Sequence, residues 1–345
     1  MKTIFKIILI LMLVQFWQCS YAQKSIKVQK GKEKPEWVNN PNAFYSERQY
    51  FVGVGNGDTR DAAEKNAIGQ IAKIFKTDIQ VDETLIESVF ESFKKNKGTI
   101  RSESTIKNQT RLQSNVELKN VKIEQVYFSE KEGLYYVLAI LDRAETAALL
   151  EQDFNENDKL LKKYFDVSQT ATNKLHRLSN INKALALAQV NKLINEQYKV
   201  LTGGQALTSA VDENELLNAA KKIKEQIIVQ VKGTGEANDE IAAYFREIIS
   251  RFGFSMGDQQ PDLVVNFNLE MNKTNLNRPG IVAYNWHLKI DVFDQNNNIT
   301  LNTVNLAKRS AAISEDEVRA RIMRTIKNEL ENAFYKKLMD YFNSF

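Results

Sequence analysis

The sequence predicts an α+β fold: two small α/β domains with antiparallel sheets packed by helices, joined by a helical hairpin arm. Two apolar runs, Val121 to Phe128 and Leu134 to Leu141, flank a short polar turn and are typical of a β-hairpin. From Ala144 to Tyr198 the apolar residues follow helical spacing without proline or glycine. In the last third, two segments alternate apolar and polar residues, which indicates strands with one packed and one wet face.

Composition narrows the classes of function. The 345 residues are 43% hydrophobic and 26% charged, which fits about two soluble domains and excludes a polytopic membrane protein. With 47 basic and 43 acidic residues, the net charge of +4 argues against a nucleic-acid partner. One cysteine and two histidines exclude a disulfide framework and any cysteine-rich metal site. We therefore expect a protein that has no enzymatic activity and binds no cofactor.

The N-terminus has the pattern of a secretory signal peptide over residues 1–22. Lys2 and Lys6 precede the apolar run Ile7 to Val14, and small residues follow near Ala22. This pattern predicts cleavage between Ala22 and Gln23, whereas the apolar run is short for a transmembrane helix. We expect an exported chain located in the periplasm or cell envelope.

Cys19 raises the alternative of a lipoprotein, which would be cut before that cysteine and carry lipid on it. The preceding Trp17 and Gln18 disfavour this alternative, because a lipoprotein signal has small residues just before the cysteine. An outer-membrane lipid anchor is therefore the less favoured outcome.

The mature chain divides into four predicted segments: a flexible basic linker over 23–34, a first α/β domain over 35–150, the helical arm over 151–210, and a second α+β domain over 211–345. The linker contains five lysines and no apolar period.

In the first domain, Tyr50 to Gly55 predicts a short strand, and Asp58 is placed as the N-cap of a helix that runs to about Lys76. Ala63, Ala67 and Ile71 share one face of that helix, so it can lie close to a sheet. Residues 78–118 are interpreted as a long bent strand, because Ile79 and Val81 alternate with polar residues. The alternative is a helix, since Leu85, Ile86, Val89, Phe90 and Phe93 fit helical spacing.

In the second domain the pattern predicts a leading helix and then the order β-α-β-β-β-α. The alternating strands begin at Leu263 and Val282, and the final helix opens with a capping box at Ser314.

Glycines at 53, 55 and 57 follow a strand and precede a helix, so a dinucleotide or phosphate loop must be considered. The fingerprint would need glycine at 58, where Asp58 would place a negative charge at the phosphate position. A structural turn is favoured.

The stretch from Asp294 to Thr300 mimics the alternating oxygen ligands of a calcium loop. Ile299 stands where that loop needs glycine, and Asn305 stands where it needs glutamate. A hairpin turn is favoured, since asparagine tolerates left-handed turn conformations.

His176 and His287 have no sequence neighbours that would complete a metal site or a catalytic triad. His287 falls on the polar side of its strand, which predicts a surface position. Arg319, Arg321 and Arg324 give the final helix a basic first half, for which a solvated face is the default. No catalytic, cofactor-binding or metal-binding residue is predicted.

Four short stretches in this order resemble the Lpp-twenty lipoprotein family of bacterial envelopes over about residues 35 to 150: Pro35-Glu36-Trp37-Val38, Tyr50 to Gly55, the helix with Ala62, Ala63 and Ala67, and Tyr135 to Ala139 followed by Leu141-Asp142-Arg143. The resemblance implies an exported surface or periplasmic protein with no known catalytic residues. A related small α/β domain occurs in a flagellar H-ring assembly protein.

The leading hypothesis is a non-enzymatic envelope protein that binds another protein, or a wall or outer-membrane component. One alternative is a carboxylate-dependent envelope hydrolase, which would need two carboxylates about 5–10 Å apart. Another is a periplasmic small-ligand carrier with an apolar cavity between helix and sheet. Pairing of edge strands between copies would give a homo-oligomer.

Overall fold

The computed structural model describes residues 26–75, 82–95, 120–276 and 278–345. These residues form two compact units, the first built from 26–75 and 120–146 and the second from 82–95 and 147–345. The predicted signal peptide, with Cys19 and Ala22, and the residue after the predicted cleavage site, Gln23, lie outside the described residues. The α+β class is confirmed, with helices packed on two open sheets.

The first unit contains a four-stranded sheet in the order β1-β3-β4-β2. Its elements are β1 (Val28–Gly31), β2 (Tyr50–Gly57), α1 (Arg60–Ile74), β3 (Val121–Ser129) and β4 (Leu134–Asp142). The predicted hairpin is β3 and β4, and β2 pairs antiparallel with β4. Thr59 caps α1 by accepting a hydrogen bond from the Ala62 N–H, one residue later than the predicted Asp58.

The prediction of a flexible basic linker is wrong for β1. Val28–Gly31 pairs parallel with β3, which makes this sheet mixed. The chain after β1 is also held, since the Tyr127 hydroxyl donates to the Glu33 carbonyl at 2.8 Å and Lys34 pairs with Glu132 at 2.8 Å. Backbone pairing needs no apolar period, and lysines are common on edge strands. The lysine-rich composition of this segment therefore did not indicate the strand β1.

Close contact between α1 and β2 depends on small residues on both sides. A Cβ built on Gly55 would lie 2.2 Å from Ala67 N, and one on Gly53 would lie 2.2 Å from Ala67 O. Ala63 and Ala67 are fully buried, as the predicted helix face requires. Only glycine lets the helix backbone approach this closely.

The opposite face of the first sheet packs around Trp37, which is 3% exposed. Its neighbours include Tyr127, Tyr136 and Leu138. Trp37 lies in a short 3-10 helix, Glu36–Val38, within one of the stretches that resemble the lipoprotein family. This helix packs over the face of the sheet opposite α1.

The second unit contains a five-stranded sheet in the order β6-β5-β7-β8-β9. Its strands are β5 (Ile228–Gly235), β6 (Ser255–Met256), β7 (Leu263–Thr274), β8 (Val282–Asp294) and β9 (Ile299–Ala312). Its helices are α2 (Glu83–Lys95), α3 (Arg143–Thr170, which begins in the first unit), α4 (Lys174–Thr202), α5 (Glu213–Glu225), α6 (Asn238–Phe252), α7 (Glu315–Glu329) and α8 (Tyr335–Phe342).

The interpretation of residues 78–118 as a bent strand is wrong where the structure describes them. Residues 83–95 form α2, with Leu85, Ile86 and Val89 buried at helical spacing. Ser88 of this helix accepts a hydrogen bond from Asn343 at 2.9 Å. The alternation that suggested a strand involves residues 79 and 81, which lie outside the described residues.

The helices of the predicted arm belong to the compact second unit. Fifteen residues of α4 are buried, including polar Asn182 and Asn191. Asn157 of α3 donates to the Asn191 side chain at 3.0 Å, which ties the two helices together.

The alternating segments form antiparallel β7, β8 and β9, while β5 pairs parallel with both β6 and β7. The sheet is thus mixed, and the predicted strand and helix order is otherwise observed, with the short β6 added. Phe245 of α6 contacts Phe267 of β7 with ring centroids 5.3 Å apart. Ser314 caps α7 by accepting from the Glu317 N–H, as the capping box predicts.

Lys183 lies in α4 and is 5% exposed. Its Nζ donates to the main-chain oxygen of Phe345, which also accepts from the Ser179 hydroxyl. Burial disfavours the charged ammonium and lowers the pKa of Lys183 to about 8.

Replacing Gly55 by alanine should lower the free energy of unfolding by about 3 kcal/mol, because the new methyl group overlaps the α1 backbone. Urea unfolding followed by circular dichroism measures this change. Gly69 lies on the same helix with no atom within 4 Å of an added Cβ, so Gly69→Ala is the matched control. It should be neutral or stabilising by up to about 1 kcal/mol. Equal effects of the two variants would contradict this packing.

Lys183 should make stability depend on pH above neutrality. Between its pKa of about 8 in the folded chain and the ordinary lysine value of 10.5, the unfolded chain binds the extra proton. The free energy of unfolding should therefore rise with pH in this window, relative to Lys183→Met. Urea unfolding of both chains at pH 7.5 and 9.5 tests the sign, and a falling difference would refute it.

Candidate functional site

The three longest strands of the second unit leave one face of the sheet open. On β7, β8 and β9 most apolar side chains are buried on one side. Apart from buried Val264 near the start of β7 and buried Ala283 near the start of β8, the described side chains on the other side are exposed or half-buried, and most are polar. We call the second side the polar face; it consists of Asn266, Asn268, Glu270, Asn272, Asn285, His287, Lys289, Asp291, Asn305, Ala307 and Arg309. This is the wet face that the alternating sequence predicts.

Strand register arranges the polar face in rows across three strands. One row is Asn272, Asn285 and Arg309, and the next is Glu270, His287 and Ala307. A third row contains Asn268, Lys289 and Asn305. Such rows place side chains from distant parts of the sequence beside one another.

Hydrogen bonds hold several of these side chains in place. Arg309 Nε donates to Asn285 Oδ1 at 2.8 Å, and His287 Nε2 lies 2.6 Å from Asn305 Oδ1. Asn268 Nδ2 donates to Glu270 Oε1 at 2.9 Å. The face is therefore a pre-organised surface of amide and charged groups, which favours binding because less conformational entropy is lost.

A cleft of about 480 Å³ opens at one end of the polar face, and we call it the strand-end cleft. It is lined by Asn272, Asn285, Trp286, His287, Ala307, Lys308 and Arg309. The lining contains two basic residues, a histidine and two amides, and no carboxylate. Sequence reasoning missed this cleft, because only the strand register brings Asn272, Asn285 and Arg309 into one row.

The two histidines lie on different elements. His287 is half-buried on β8, whereas His176 is exposed in the first turn of α4, with its ring 5.2 Å from that of Phe345. Among the described residues, no three His, Cys, Asp or Glu side chains are grouped as a metal site would require. His287 lies on the polar face of the sheet, which agrees with the predicted position on the polar side of its strand.

The glycine-rich stretch does not form a phosphate cradle in the described structure. Residues 53–57 belong to β2, and the space beside Gly53 and Gly55 is filled by the backbone of α1. These glycines serve helix packing rather than ligand approach. The predicted structural turn is wrong for residues 53–57, because they continue β2 and pair with β4.

Asp294 anchors a hairpin turn. It is fully buried and accepts hydrogen bonds from the Asn296 and Asn297 N–H groups and from the Tyr341 hydroxyl. Asn298 adopts a φ of 54°, the left-handed conformation expected of asparagine in such a turn. Burial and the Asp294 contact together raise the pKa of Tyr341. The carboxylate of Asp294 is thus committed to the turn, and the hairpin interpretation is confirmed.

Asp262 is the other buried carboxylate near this turn. It accepts from Lys174 Nζ at 2.9 Å and from the Ile228 N–H at 2.8 Å, beside a cleft of about 440 Å³. Asn296 donates to its other oxygen at 3.1 Å. Asp262 therefore ties α4, β5 and the hairpin turn together.

A further cleft of about 630 Å³ lies beside α4 and the loop that leads into α5. Its walls mix Phe154, Leu207 and Val211 with Asn195 and Asp212. Asn195 exchanges two hydrogen bonds with the Leu207 backbone, which fixes this loop. The cleft lies among helices and a loop, not between helix and sheet.

A family model matches the N-terminal part of the chain. Residues 35–142 match the family model of the LPP20 lipoproteins, which confirms the resemblance described for the first domain. This match supports an exported protein of the cell envelope. Among the described residues, no helix is both long enough and apolar enough to cross a membrane.

Solved structures match the chain only at low similarity. The secreted protein HP1454 of Helicobacter pylori is 13% identical, with a TM-score of 0.46 over 84% of this chain and 97% of its own. A minor lipoprotein of Acinetobacter baumannii is 9% identical, covering 34% of this chain and 95% of its own with a TM-score of 0.25. These values are too low to carry an argument about function. None of the curated proteins compared with the chain matches it.

Replacing Asp294 by alanine should lower the free energy of unfolding by about 3 kcal/mol, because two N–H groups and the Tyr341 hydroxyl lose their acceptor. Thermal unfolding measures the loss. Adding calcium or a chelator to the unaltered chain should leave its melting temperature unchanged. A calcium-dependent rise that Asp294→Ala abolishes would restore the calcium-loop hypothesis.

Proposed function

We propose that the chain is a non-enzymatic binding module of the cell envelope, and that the polar face is its binding surface. Its partner is an envelope protein or a wall or outer-membrane component. The observation that carries the proposal is the open polar face, on which hydrogen-bonded amides and charges from three long strands remain accessible.

The composition of the face supports recognition of a polar partner. Asparagine side chains supply both a donor and an acceptor, so one residue type serves many polar ligands. Lys289 and Asp291 on β8 form an ion pair at 2.9 Å, which leaves this part of the face close to neutral. A surface of this kind recognises by hydrogen bonding rather than by burial of apolar area.

The hydrogen bonds made by the buried carboxylates favour a binding function over hydrolysis. Asp262 and Asp294 each accept several hydrogen bonds from the protein itself. A general acid or base needs an oxygen within reach of substrate, whereas the oxygens of Asp294 bond the hairpin turn and those of Asp262 bond α4, β5 and the turn.

A periplasmic carrier of small polar ligands is the second candidate, favoured by the cleft of about 630 Å³ beside α4. Its open mouth and its walls, which combine Asn195 and Asp212 with apolar side chains, suit a ligand that is partly hydrated.

Photo-crosslinking in intact cells tests the leading proposal. Benzoylphenylalanine is introduced in place of Asn266, an exposed residue of the polar face. The control position is Arg324, which is exposed on α7. We expect a light-dependent adduct from position 266 and none from position 324.

An adduct of defined mass at position 266 would identify the partner as protein or polymer. Equal adducts at both positions, or none at 266 and none at a second polar-face position such as Asn305, would contradict the proposal. Near-ultraviolet circular dichroism of each variant checks that the fold is retained.

A further inference from the structure

We propose that the outer edge of β9 binds an extended segment of an envelope protein, which joins the sheet as a further strand and carries two consecutive acidic residues. The inference takes from the proposed function only that the partner is an envelope protein. It concerns a second surface, because it uses the edge of the sheet and not its polar face.

β9 is the outermost strand of the second sheet. It pairs with β8 on one side, and no strand of the described sheet lies on its other side. β9 has 14 residues, whereas β6 at the opposite edge has two. After a register shift opposite Ile290 and Asp291, residues 304–312 pair with β8 without interruption. A long edge strand is a template for strand addition, so we call the outward side of residues 304–312 the β9 edge.

Backbone groups of the β9 edge are available to a further strand. In an antiparallel pair, alternate residues of the outer strand turn both their N–H and their C=O groups away from the partner. The Ala311 carbonyl accepts from Arg321 Nη1 at 2.8 Å, which places Asn305, Ala307 and Arg309 in the same outward set. Within the described part of the chain, no hydrogen bond outside the ladder with β8 reaches the backbone of these three residues. An added strand supplies their partners.

The apolar side of the sheet is incompletely covered at this edge. Leu288 of β8 is fully buried, whereas its register partner on β9, Leu306, is half-buried. A strand beyond β9 would place a side chain directly beside Leu306 and continue the row. We therefore expect an apolar residue in the segment at the position that faces Leu306.

Lys308 and Arg309 define the charge that the segment carries. They are consecutive and exposed, and they lie on opposite sides of the sheet, Lys308 in register with Trp286 and Arg309 in register with Asn285. Neither forms an ion pair with a described residue. Side chains of an added strand alternate in the same way, so the two residues that face these cations are also consecutive. Two adjacent acidic residues, one on each side of the sheet, match this arrangement.

A second copy of the chain fits the β9 edge less well. Antiparallel pairing of residues 304–312 with themselves is symmetric about Lys308, so the two lysines would lie directly opposite each other. Like charges in that position are destabilising. An acidic segment removes this repulsion, which favours a different protein as the partner.

Fluorescence anisotropy with a labelled synthetic peptide tests the inference on the purified chain. The probe is Thr-Val-Thr-Val-Asp-Glu-Thr-Val-Thr, in which the valines and the glutamate share one side and the aspartate lies on the other. The matched peptide, Thr-Val-Asp-Thr-Glu-Val-Thr-Val-Thr, has the same composition but places both acidic residues on one side. We expect saturable binding of the probe and about fivefold weaker binding of the matched peptide, because only one of its carboxylates can face a cation.

Reversal of the edge charges tests the electrostatic part. The double variant Lys308→Glu with Arg309→Glu should weaken binding of the probe at least about tenfold, and it should instead bind a peptide that has Lys-Lys in place of Asp-Glu. The matched control is Lys222→Glu with Lys232→Glu. These lysines are exposed on α5 and β5, so the control changes the net charge equally but away from the β9 edge. It should change affinity by less than about twofold.

A proline substitution tests the backbone part. Ala307→Pro removes an outward N–H group that the ladder with β8 does not use, and it should abolish binding of the probe. Ala307→Val keeps the N–H group and should bind the probe within about threefold of the unaltered chain. Near-ultraviolet circular dichroism checks that each variant is folded.

Saturable binding of the probe that is lost in the charge-reversed and proline variants supports the inference. Equal binding of the two acidic peptides, no binding of either, or unchanged binding by folded Ala307→Pro would overturn it. A dimer in sedimentation velocity that Ala307→Pro converts to a monomer would also overturn it, since the edge would then be occupied by a second copy. Light-dependent adducts at Asn266, which lies on β7, would in each case leave the proposal for the polar face intact.

Discussion

The alternation of apolar and polar side chains along β7, β8 and β9 is the constraint on which the second unit depends. Phe267, Leu288 and Ile290 are at most 3% exposed on the buried side, and ring contact between Phe245 and Phe267 fixes α6 there. Because side chains alternate with a period of two, burying one set obliges the other to face water. The binding surface proposed here is therefore a consequence of the same pattern that stabilises the core.

The first unit solves a similar packing problem with small residues. Gly53 and Gly55 of β2 allow α1 to approach the sheet through Ala63 and Ala67. A glycine-rich stretch between strand and helix resembles a phosphate loop in sequence, yet here its space is filled by protein. Asp294 is a comparable case, since the carboxylate suggested as a calcium ligand accepts hydrogen bonds from the backbone of its own turn. The structural role of each motif therefore depends on its neighbours, which fill the space beside the glycines and supply the hydrogen bonds to Asp294.

Sequence periodicity predicted the α+β class, the hairpin of β3 and β4, and the alternating strands of the second unit. It did not predict β1, because parallel backbone pairing requires no apolar pattern in a lysine-rich stretch. It did not predict α2, because the alternation of Ile79 and Val81 was given more weight than the helical spacing of Leu85 and Val89. The strand-end cleft could not be predicted at all. It depends on register, which brings residues 272, 285 and 309 into one row.

The most direct test of the central claim uses the two histidines of the chain, His176 on α4 and His287 on the polar face. Diethyl pyrocarbonate modifies accessible imidazoles, and mass spectrometry measures each site separately. Modification in intact cells is compared with modification of the purified chain. The account predicts that His287 is protected in cells while exposed His176 is modified equally in both samples. Equal modification of His287 in both samples would contradict a polar face occupied by a partner.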